Sequence, residues 1–498
     1  MSQPDAVPSA PSPSPHNDWT RISPAEPGQS TLTTGVSVLV VGDEPTATGR
    51  TMAALRQQRY PDDLLQIVAC ADDRAFAGQI GAAKGEIIVR IPAGAVPAPD
   101  FVATLTRWQQ ASPDAVSLAV PLIFAGKAPE PEVIIAHASA GTLGQLFPDS
   151  AADAELTRLL DTTHHLRTAD HRAFLAAAGT GYAFHRDRYR AGSDPCQGAD
   201  IEVAYRLAQA GAYFVPEPAA TLWTSDRPDQ ASTDRRVRAE LADLLPYPRA
   251  NRARPGRTWH VPLVEAVVTV DQPYEVVRAS VDRLLASNER DLHVVLVGDF
   301  DTAGSTDPDP GGPGTDDAGT SRSELRLLAT EYRHEPRVRM LGSAPCDAGT
   351  APYLLRVPAR LGVGPGTVGA LVAAMEKWRC GLLRVLPAGA GSAEYAVELW
   401  STAARSRALN AGASKGALTE AVAASHGQRW ETGSDFDVVD LTAGGPEALD
   451  TSAAKPAAGR RQRAAKTVPV GGARSLGRAT VFVARQYARG VRRRIASR

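Results

Sequence analysis

The feature that most restricts the fold of this chain is a strand–helix–strand pattern near its beginning. A continuous apolar run, Val36–Val41, is typical of a buried strand. A helical segment over 45–58 follows, opened by a proline, and a second apolar run covers Leu64–Cys70. Two acids, Asp72 and Asp73, come directly after that run. The pattern predicts an α/β fold with a Rossmann-like parallel sheet that binds a nucleotide at the strands' carboxyl ends.

The same pattern recurs later in the chain. Pro45 and Pro273 are 228 residues apart, and that offset aligns the two stretches without a gap. The Arg-Val-Pro-Ala run 356–359 also echoes Arg-Ile-Pro-Ala at 90–93. We therefore expect a second, smaller α/β domain of related topology, a reduced copy of the first. Its predicted elements are strand 263–270, helix 274–286, strand 293–297, helix 368–378, strand 382–386 and helix 393–405.

Composition excludes several classes of protein. The 498 residues carry a formal net charge of −1, so the overall charge does not indicate a nucleic-acid-binding protein. The four cysteines lack Cys-x-x-Cys spacing, which is typical of a reducing compartment without a zinc ribbon. No apolar run has membrane-spanning length, and no signal peptide is visible. We expect a cytoplasmic protein.

Changes in composition along the chain predict the domain boundaries. Stretches rich in proline, serine, alanine or charge separate the two periodic regions. The predicted parts are a disordered N-terminal segment (1–34), a first α/β domain (35–225), a linker (226–260), a second α/β domain (261–444), a low-complexity linker (445–472) and a basic amphipathic helix (473–498).

The C-terminal segment 473–498 has apolar residues on one side, bordered by arginines. This pattern is typical of a helix that docks on anionic lipid, which would place the protein peripherally at the inner face of the cell membrane. A solvated tail is an equal alternative. Binding of the helix to nucleic acid or to an acidic protein is a further alternative.

One stretch, Gly198–Gly211, has both a clear local structure and a chemical meaning. Asp200 stands where an N-cap belongs, and apolar residues follow at helical spacing. Glu202 and Arg206 are four apart and can form an ion pair. Gly211 ends the helix before a short strand. For an isolated helix, Asp200 would be a cap and nothing more.

Taken with its surroundings, this stretch resembles the acceptor-side motif of family-2 glycosyltransferases, which have the GT-A fold. The aspartate that matches Asp200 is the general base in that family, and Ala199 stands where the family usually has Glu. The resemblance covers about residues 35–225. It implies that Asp72 or Asp73 contacts the nucleotide, with two solvated loop acids as the equal alternative. It also implies that Gly179, Gly181 and Arg206 belong to the donor and acceptor pocket.

The largest departure from the family is at the metal-binding turn. The family has Asp-x-Asp after the strand that matches Ile87–Val89, and those carboxylates hold Mg²⁺ or Mn²⁺ against the diphosphate. Here the chain reads Arg90–Gly94 without a carboxylate, so the expected metal has no evident ligands. A cation such as Arg90 would then neutralise the leaving diphosphate.

Other candidate metal ligands have simpler interpretations. His164, His165, His171 and Asp170 lie close in sequence but lack a firm ligand spacing, so we interpret them as a polar surface. Trp223 stands near the place where many relatives have a metal-binding histidine, and its alternative role is packing.

The sequence predicts a glycosyltransferase-like protein. The implied reaction is inverting transfer of a sugar from a nucleotide sugar to a hydroxyl of a glycan or lipid-linked acceptor, in bacterial cell-envelope or polysaccharide synthesis. The alternative is a non-catalytic relative that acts as a nucleotide- or glycan-binding, membrane-associated scaffold. We expect the second domain to have a structural role, in which it covers the first domain or mediates its dimerisation.

Overall fold

A computed structural model describes the chain over residues 16–26, 32–189, 199–225, 241–247, 249–252, 257–300, 322–343, 350–387 and 395–443. The chain forms two compact units, whose described residues lie within 16–252 and 257–443. The predicted basic helix 473–498 and the low-complexity linker before it lie outside the described residues. Over the described ranges, no helix is long and apolar enough to cross a membrane.

The N-terminal unit combines a six-stranded sheet, a small four-stranded sheet and several α-helices among its described residues. Its strands are β1 (Val36–Val41), β2 (Leu65–Cys70), β3 (Ile87–Pro92), β4 (Val96–Pro97), β5 (Ala115–Ala119), β6 (Leu122–Phe124), β7 (Ala151–Ala152), β8 (Tyr182–His185), β9 (Tyr213–Glu217) and β10 (Leu222–Ser225). Its helices are α1 (Pro45–Leu55), α2 (Asp73–Ile80), α3 (Phe101–Ala111), α4 (Pro131–Ser139), α5 (Ala154–Thr162) and α6 (Ala199–Gln209).

The main sheet has the order β2-β1-β3-β8-β5-β9, and β8 alone of these strands runs antiparallel to its neighbours. Strands β1 and β3 are buried on both faces, which explains their continuous apolar sequence. Helix α1 begins at Pro45, and the Glu44 side chain caps it by accepting the N–H groups of Thr46 and Ala47. The predicted α/β class is confirmed.

The C-terminal unit has a seven-stranded sheet and a two-stranded one. Its strands are β11 (Val264–Thr269), β12 (Leu292–Val297), β13 (Val338–Leu341), β14 (Tyr353–Arg356), β15 (Leu361–Val363), β16 (Leu382–Leu386), β17 (Val397–Ser401), β18 (Gln428–Thr432) and β19 (Val438–Asp440). Its described helices are α7 (Tyr274–Leu285), α8 (Arg322–Tyr332), α9 (Thr367–Trp378), α10 (Thr402–Asn410), α11 (Leu418–His426) and α12 (Gly433–Phe436).

The two main sheets share one topology. The second has the order β13-β12-β11-β14-β17-β16-β18, with β17 antiparallel to both neighbours. Apart from the additional edge strand β13, each strand has a counterpart in the first sheet at the same place and in the same direction. The pairing register agrees as well: Leu39 pairs with Arg90, and Val267 pairs with Arg356. The related topology is confirmed, but the second main sheet is not reduced.

Two sequence-based expectations about local structure are corrected. The segment predicted as helix 393–405 contains strand β17 followed by the start of α10, because the central place of β17 in the sheet overrides its helical pattern. Part of the segment predicted as disordered is held on the N-terminal unit. The buried Asn17 side chain donates to the Leu166 and Phe214 carbonyls and accepts the Phe214 N–H, and composition does not reveal such a contact.

Candidate functional site

The predicted site residues come from elements that meet at one edge of the N-terminal main sheet. Parallel strands bring their carboxyl ends to the same edge, and there β2 leads into Asp73 while β3 carries Arg90. The antiparallel strand β8 begins at this edge, with Tyr182 opposite Arg90. Helix α6 adds Asp200 near its start. Residues that are distant in sequence therefore converge.

Arg90 is the centre of this group. Its side chain is only 4% exposed, and its Nη2 atom lies 2.9 Å from Asp73 Oδ1 and 3.7 Å from Asp200 Oδ2. The Nη1 atom donates to the Thr180 carbonyl at 3.4 Å. The Phe76 and Tyr182 rings have their centroids 5.8 and 6.0 Å from the guanidinium carbon, within the range of cation–π attraction. Two carboxylates thus share one buried cation.

Asp200 is buried and held by backbone donors. The Gly179 N–H donates to Oδ2 at 2.9 Å, and the Ile201 N–H donates to Oδ1 at 2.7 Å. Burial raises the pKa of Asp200 above the ordinary value of 3.8; the nearby Arg90 lowers this pKa and Asp73 raises it further. The carboxylate is therefore fixed in place and more basic than a solvated one.

The contacts of Asp200 go beyond those of an N-cap. Asp200 lies in the first turn of α6, whose described residues begin at Ala199. Its carboxylate reaches the Gly179 N–H across the turn before β8 as well as the neighbouring N–H of Ile201. Sequence reasoning could not find the contact to Gly179 because 21 residues separate the two.

The two acids after β2 have different roles. Asp72 is the N-cap of α2, and its side chain accepts the Ala75 N–H at 2.7 Å. Asp73 is the first residue of that helix, and its side chain, 31% exposed, pairs with Arg90. Asp73 is therefore both part of the buried ion cluster and open to solvent.

The predicted pocket glycines also differ from each other. Gly179 has φ = +70°, in the left-handed region that favours glycine, and a Cβ at this position would meet no atom within 4 Å. Open space thus adjoins the N–H that holds Asp200. A Cβ on Gly181 would lie 3.1 Å from Leu222 Cδ2 and 3.2 Å from Phe101 Cζ, so core packing accounts for that glycine.

Arg206 takes no part in the Arg90 ion pairs. Its Nε donates to Glu202 Oε1, and both side chains are buried, which confirms the predicted pair four residues apart. The second carboxylate oxygen of Glu202, Oε2, is buried without a hydrogen-bond partner. Burial, assisted by Glu202, raises the pKa of the Tyr189 hydroxyl to about 12. Sequence reasoning missed Tyr189.

The described residues do not fit a divalent metal ion. Within the described ranges, no three His, Cys, Asp or Glu side chains are grouped so that they could hold one. Asp170 forms an ion pair with Arg172. Trp223 is buried and stacks on Phe147, with ring centroids 5.0 Å apart, so packing accounts for it.

No protein-family model matches the chain. No curated protein matches it either. One similar solved structure is the mannosyltransferase PcManGT from Pyrobaculum calidifontis in complex with GDP-Man and Mn²⁺, with a TM-score of 0.29 and 16% identity over 47% of this chain and 68% of that one. Another is GalNAc-T7 with UDP, GalNAc and Mn²⁺, with a TM-score of 0.29 and 14% identity over 45% of this chain and 52% of that one.

TM-scores of this size do not establish a fold or a function. The α/β architecture rests on the sheet order and strand register described above. The chain spans about half of the GalNAc-T7 structure.

Proposed function

We propose that the N-terminal unit is a glycosyltransferase-like enzyme in which Asp200 is the general base. The observation that carries this proposal is the Asp200 carboxylate itself. It is fixed by two backbone N–H groups at the carboxyl edge of the sheet, and its pKa is raised by burial. A base works best when it is held beside the reacting hydroxyl and is more basic than a solvated carboxylate.

The proposed reaction is a single displacement with inversion. The acceptor hydroxyl oxygen attacks the anomeric carbon of a nucleotide sugar, the bond to the diphosphate breaks, and the hydroxyl proton passes to Asp200. The backbone N–H groups leave lone pairs on both carboxylate oxygens to receive that proton. The open space beside Gly179 is where we place the acceptor.

Asp72, Asp73 and Arg90 are the proposed donor-side residues. Asp73 reaches the surface and can meet the nucleotide, whereas Arg90 is almost completely buried. Arg90 therefore does not touch the leaving diphosphate, and it offsets part of the negative charge that Asp73 and Asp200 would otherwise set beside that group. A divalent metal is not required in this proposal.

A non-catalytic role is the second candidate, and one observation favours it. The single buried guanidinium already engages both acids of the site, as a purely structural ion cluster would. In that case the unit binds a nucleotide or glycan as a scaffold. A place in bacterial cell-envelope or polysaccharide synthesis and attachment to the membrane through 473–498 belong to both candidates.

Ligand binding and turnover separate the two candidates. Thermal unfolding is followed with UDP, GDP and dTDP and with their sugars, with and without Mn²⁺. A ligand that binds the native state at about 100 times its Kd stabilises it by about 2.7 kcal/mol. We expect one nucleotide to raise the melting temperature to the same extent with and without Mn²⁺.

The variant Asp200→Asn then tests the base. Loss of a general base lowers kcat by roughly 10²–10⁴-fold, while nucleotide-dependent stabilisation should stay. The wild-type rate should rise with pH through the pKa of Asp200, above 3.8, and this limb should vanish in the variant. Asp100→Asn, at an exposed acid, is the control. Nucleotide binding without turnover in the wild type would favour the scaffold.

A further inference from the structure

We infer that Arg90 is a built-in cation that takes the place of a divalent metal ion between Asp73 and Asp200. The inference does not depend on sugar transfer, since it concerns which cation the two carboxylates hold. The turn after β3 contains no carboxylate, yet the carboxylates of Asp73 and Asp200 converge at this edge of the sheet. Their shared contact with Arg90 explains why they do so.

The geometry of the guanidinium supports this inference. A single nitrogen, Nη2, faces both carboxylates, which come from the starts of two different helices, α2 and α6. The Nη1 atom donates to the Thr180 carbonyl and the rings of Phe76 and Tyr182 flank the group, while Nε is buried without a hydrogen-bond partner. Arg90 is thus fixed on several sides, as a structural ion would be.

The same geometry excludes a metal ion. Mg²⁺ requires octahedral oxygen ligands at about 2.0–2.1 Å, and the Nη2 atom already lies 2.9 and 3.7 Å from the two carboxylate oxygens that would supply them. Removal of the guanidinium would leave two carboxylates, Asp200 buried and Asp73 partly exposed, without their shared cation, and such a site favours a divalent cation.

The sequence repeat supplies a matched control. Arg356 occupies the same register in the second unit, because Val267 and Leu39 are equivalent positions of β11 and β1. There the arginine side chain is 58% exposed and faces a single described carboxylate, Glu398, at 3.8 Å. Glu398 also accepts hydrogen bonds from Arg384 and Trp400. Removal of Arg356 should therefore create no metal site.

The test is Mn²⁺ binding by the full chain, measured by electron paramagnetic resonance without nucleotide or sugar. We expect Arg90→Ala to bind one Mn²⁺ at least tenfold more tightly than the wild type, and Arg356→Ala to behave as the wild type. Addition of Asp73→Asn to Arg90→Ala should remove the gain. A folded Arg90→Ala variant that binds Mn²⁺ no better than the wild type would overturn the inference.

The wild-type protein gives a second test that does not depend on the folding of Arg90→Ala. If Arg90 excludes the metal, the wild type and Asp73→Asn should bind Mn²⁺ equally weakly. A wild-type site whose Mn²⁺ affinity falls tenfold or more in Asp73→Asn would show that a metal enters beside Arg90, and the inference would be wrong. Because no substrate is present, these outcomes are independent of the proposed transfer reaction.

Discussion

Glu217, at the end of β9, is the acceptor in a buried ion pair whose contribution to stability can be measured. Its Oε2 atom accepts the Arg107 Nε and Nη2 donors at 2.9 and 2.5 Å and the Trp108 indole N–H at 2.8 Å. The Glu217 side chain is 3% exposed and that of Arg107 is 12% exposed. Glu217→Ala would leave a cation and an indole N–H without their acceptor.

The expected cost follows from this burial. Removal of one partner from a buried ion pair costs about 3–5 kcal/mol, because the other charge stays desolvated. Arg107 also donates to the Ala25 carbonyl, so we expect the lower part of this range. For a unit of this size, a loss of about 3 kcal/mol would lower the melting temperature by about 6–12 °C.

The assay is urea unfolding of the whole chain, with the free energy of unfolding taken from the midpoint and slope. Asp100→Ala is the control, because Asp100 and Arg59 form a pair of similar length, 3.0 Å, with side chains 58% and 68% exposed. Exposed pairs contribute about 0–1 kcal/mol. Equal losses of stability in Glu217→Ala and Asp100→Ala would refute the assignment of the difference to burial.

Two further predictions concern packing and reactivity. A Cβ on Gly85 would lie 2.4 Å from the Ser37 backbone nitrogen, whereas a Cβ on Gly81 would meet nothing within 4 Å. Gly85→Ala should therefore lower the free energy of unfolding by about 1–3 kcal/mol or more, and Gly81→Ala should not lower it. Equal effects of the two substitutions would contradict this reasoning. Burial raises the pKa of the Cys70 thiol to about 11. At pH 8 its alkylation by iodoacetamide, measured by mass spectrometry, should therefore be at least about 100-fold slower in the native protein than in urea. Similar rates in both conditions would contradict the buried position.

Local patterns predicted the frame of the molecule closely. Strand β1 has the predicted bounds, Val36–Val41, and α1 begins at the predicted Pro45. The 228-residue offset predicted the repeat, and Arg90 and Arg356 prove to be equivalent in register. These features were readable because buried parallel strands and proline-started helices leave their signal in adjacent residues.

The contacts between the side chains of the candidate site could not be predicted from local patterns. The sequence marked Asp73, Arg90 and Asp200 separately and gave each a role by resemblance. The tertiary structure placed them around one nitrogen atom and made Asp200 an acceptor for the Gly179 N–H.

The sequence by itself therefore determined the elements, their order and the repeat, because backbone periodicity and burial act between near neighbours. Only the tertiary structure decided which charges meet, because an ion pair between α2, β3 and α6 depends on how the sheet brings their ends to one edge. The strand β17 is a similar case, since its central place in the sheet, and not its own pattern, fixes it as a strand.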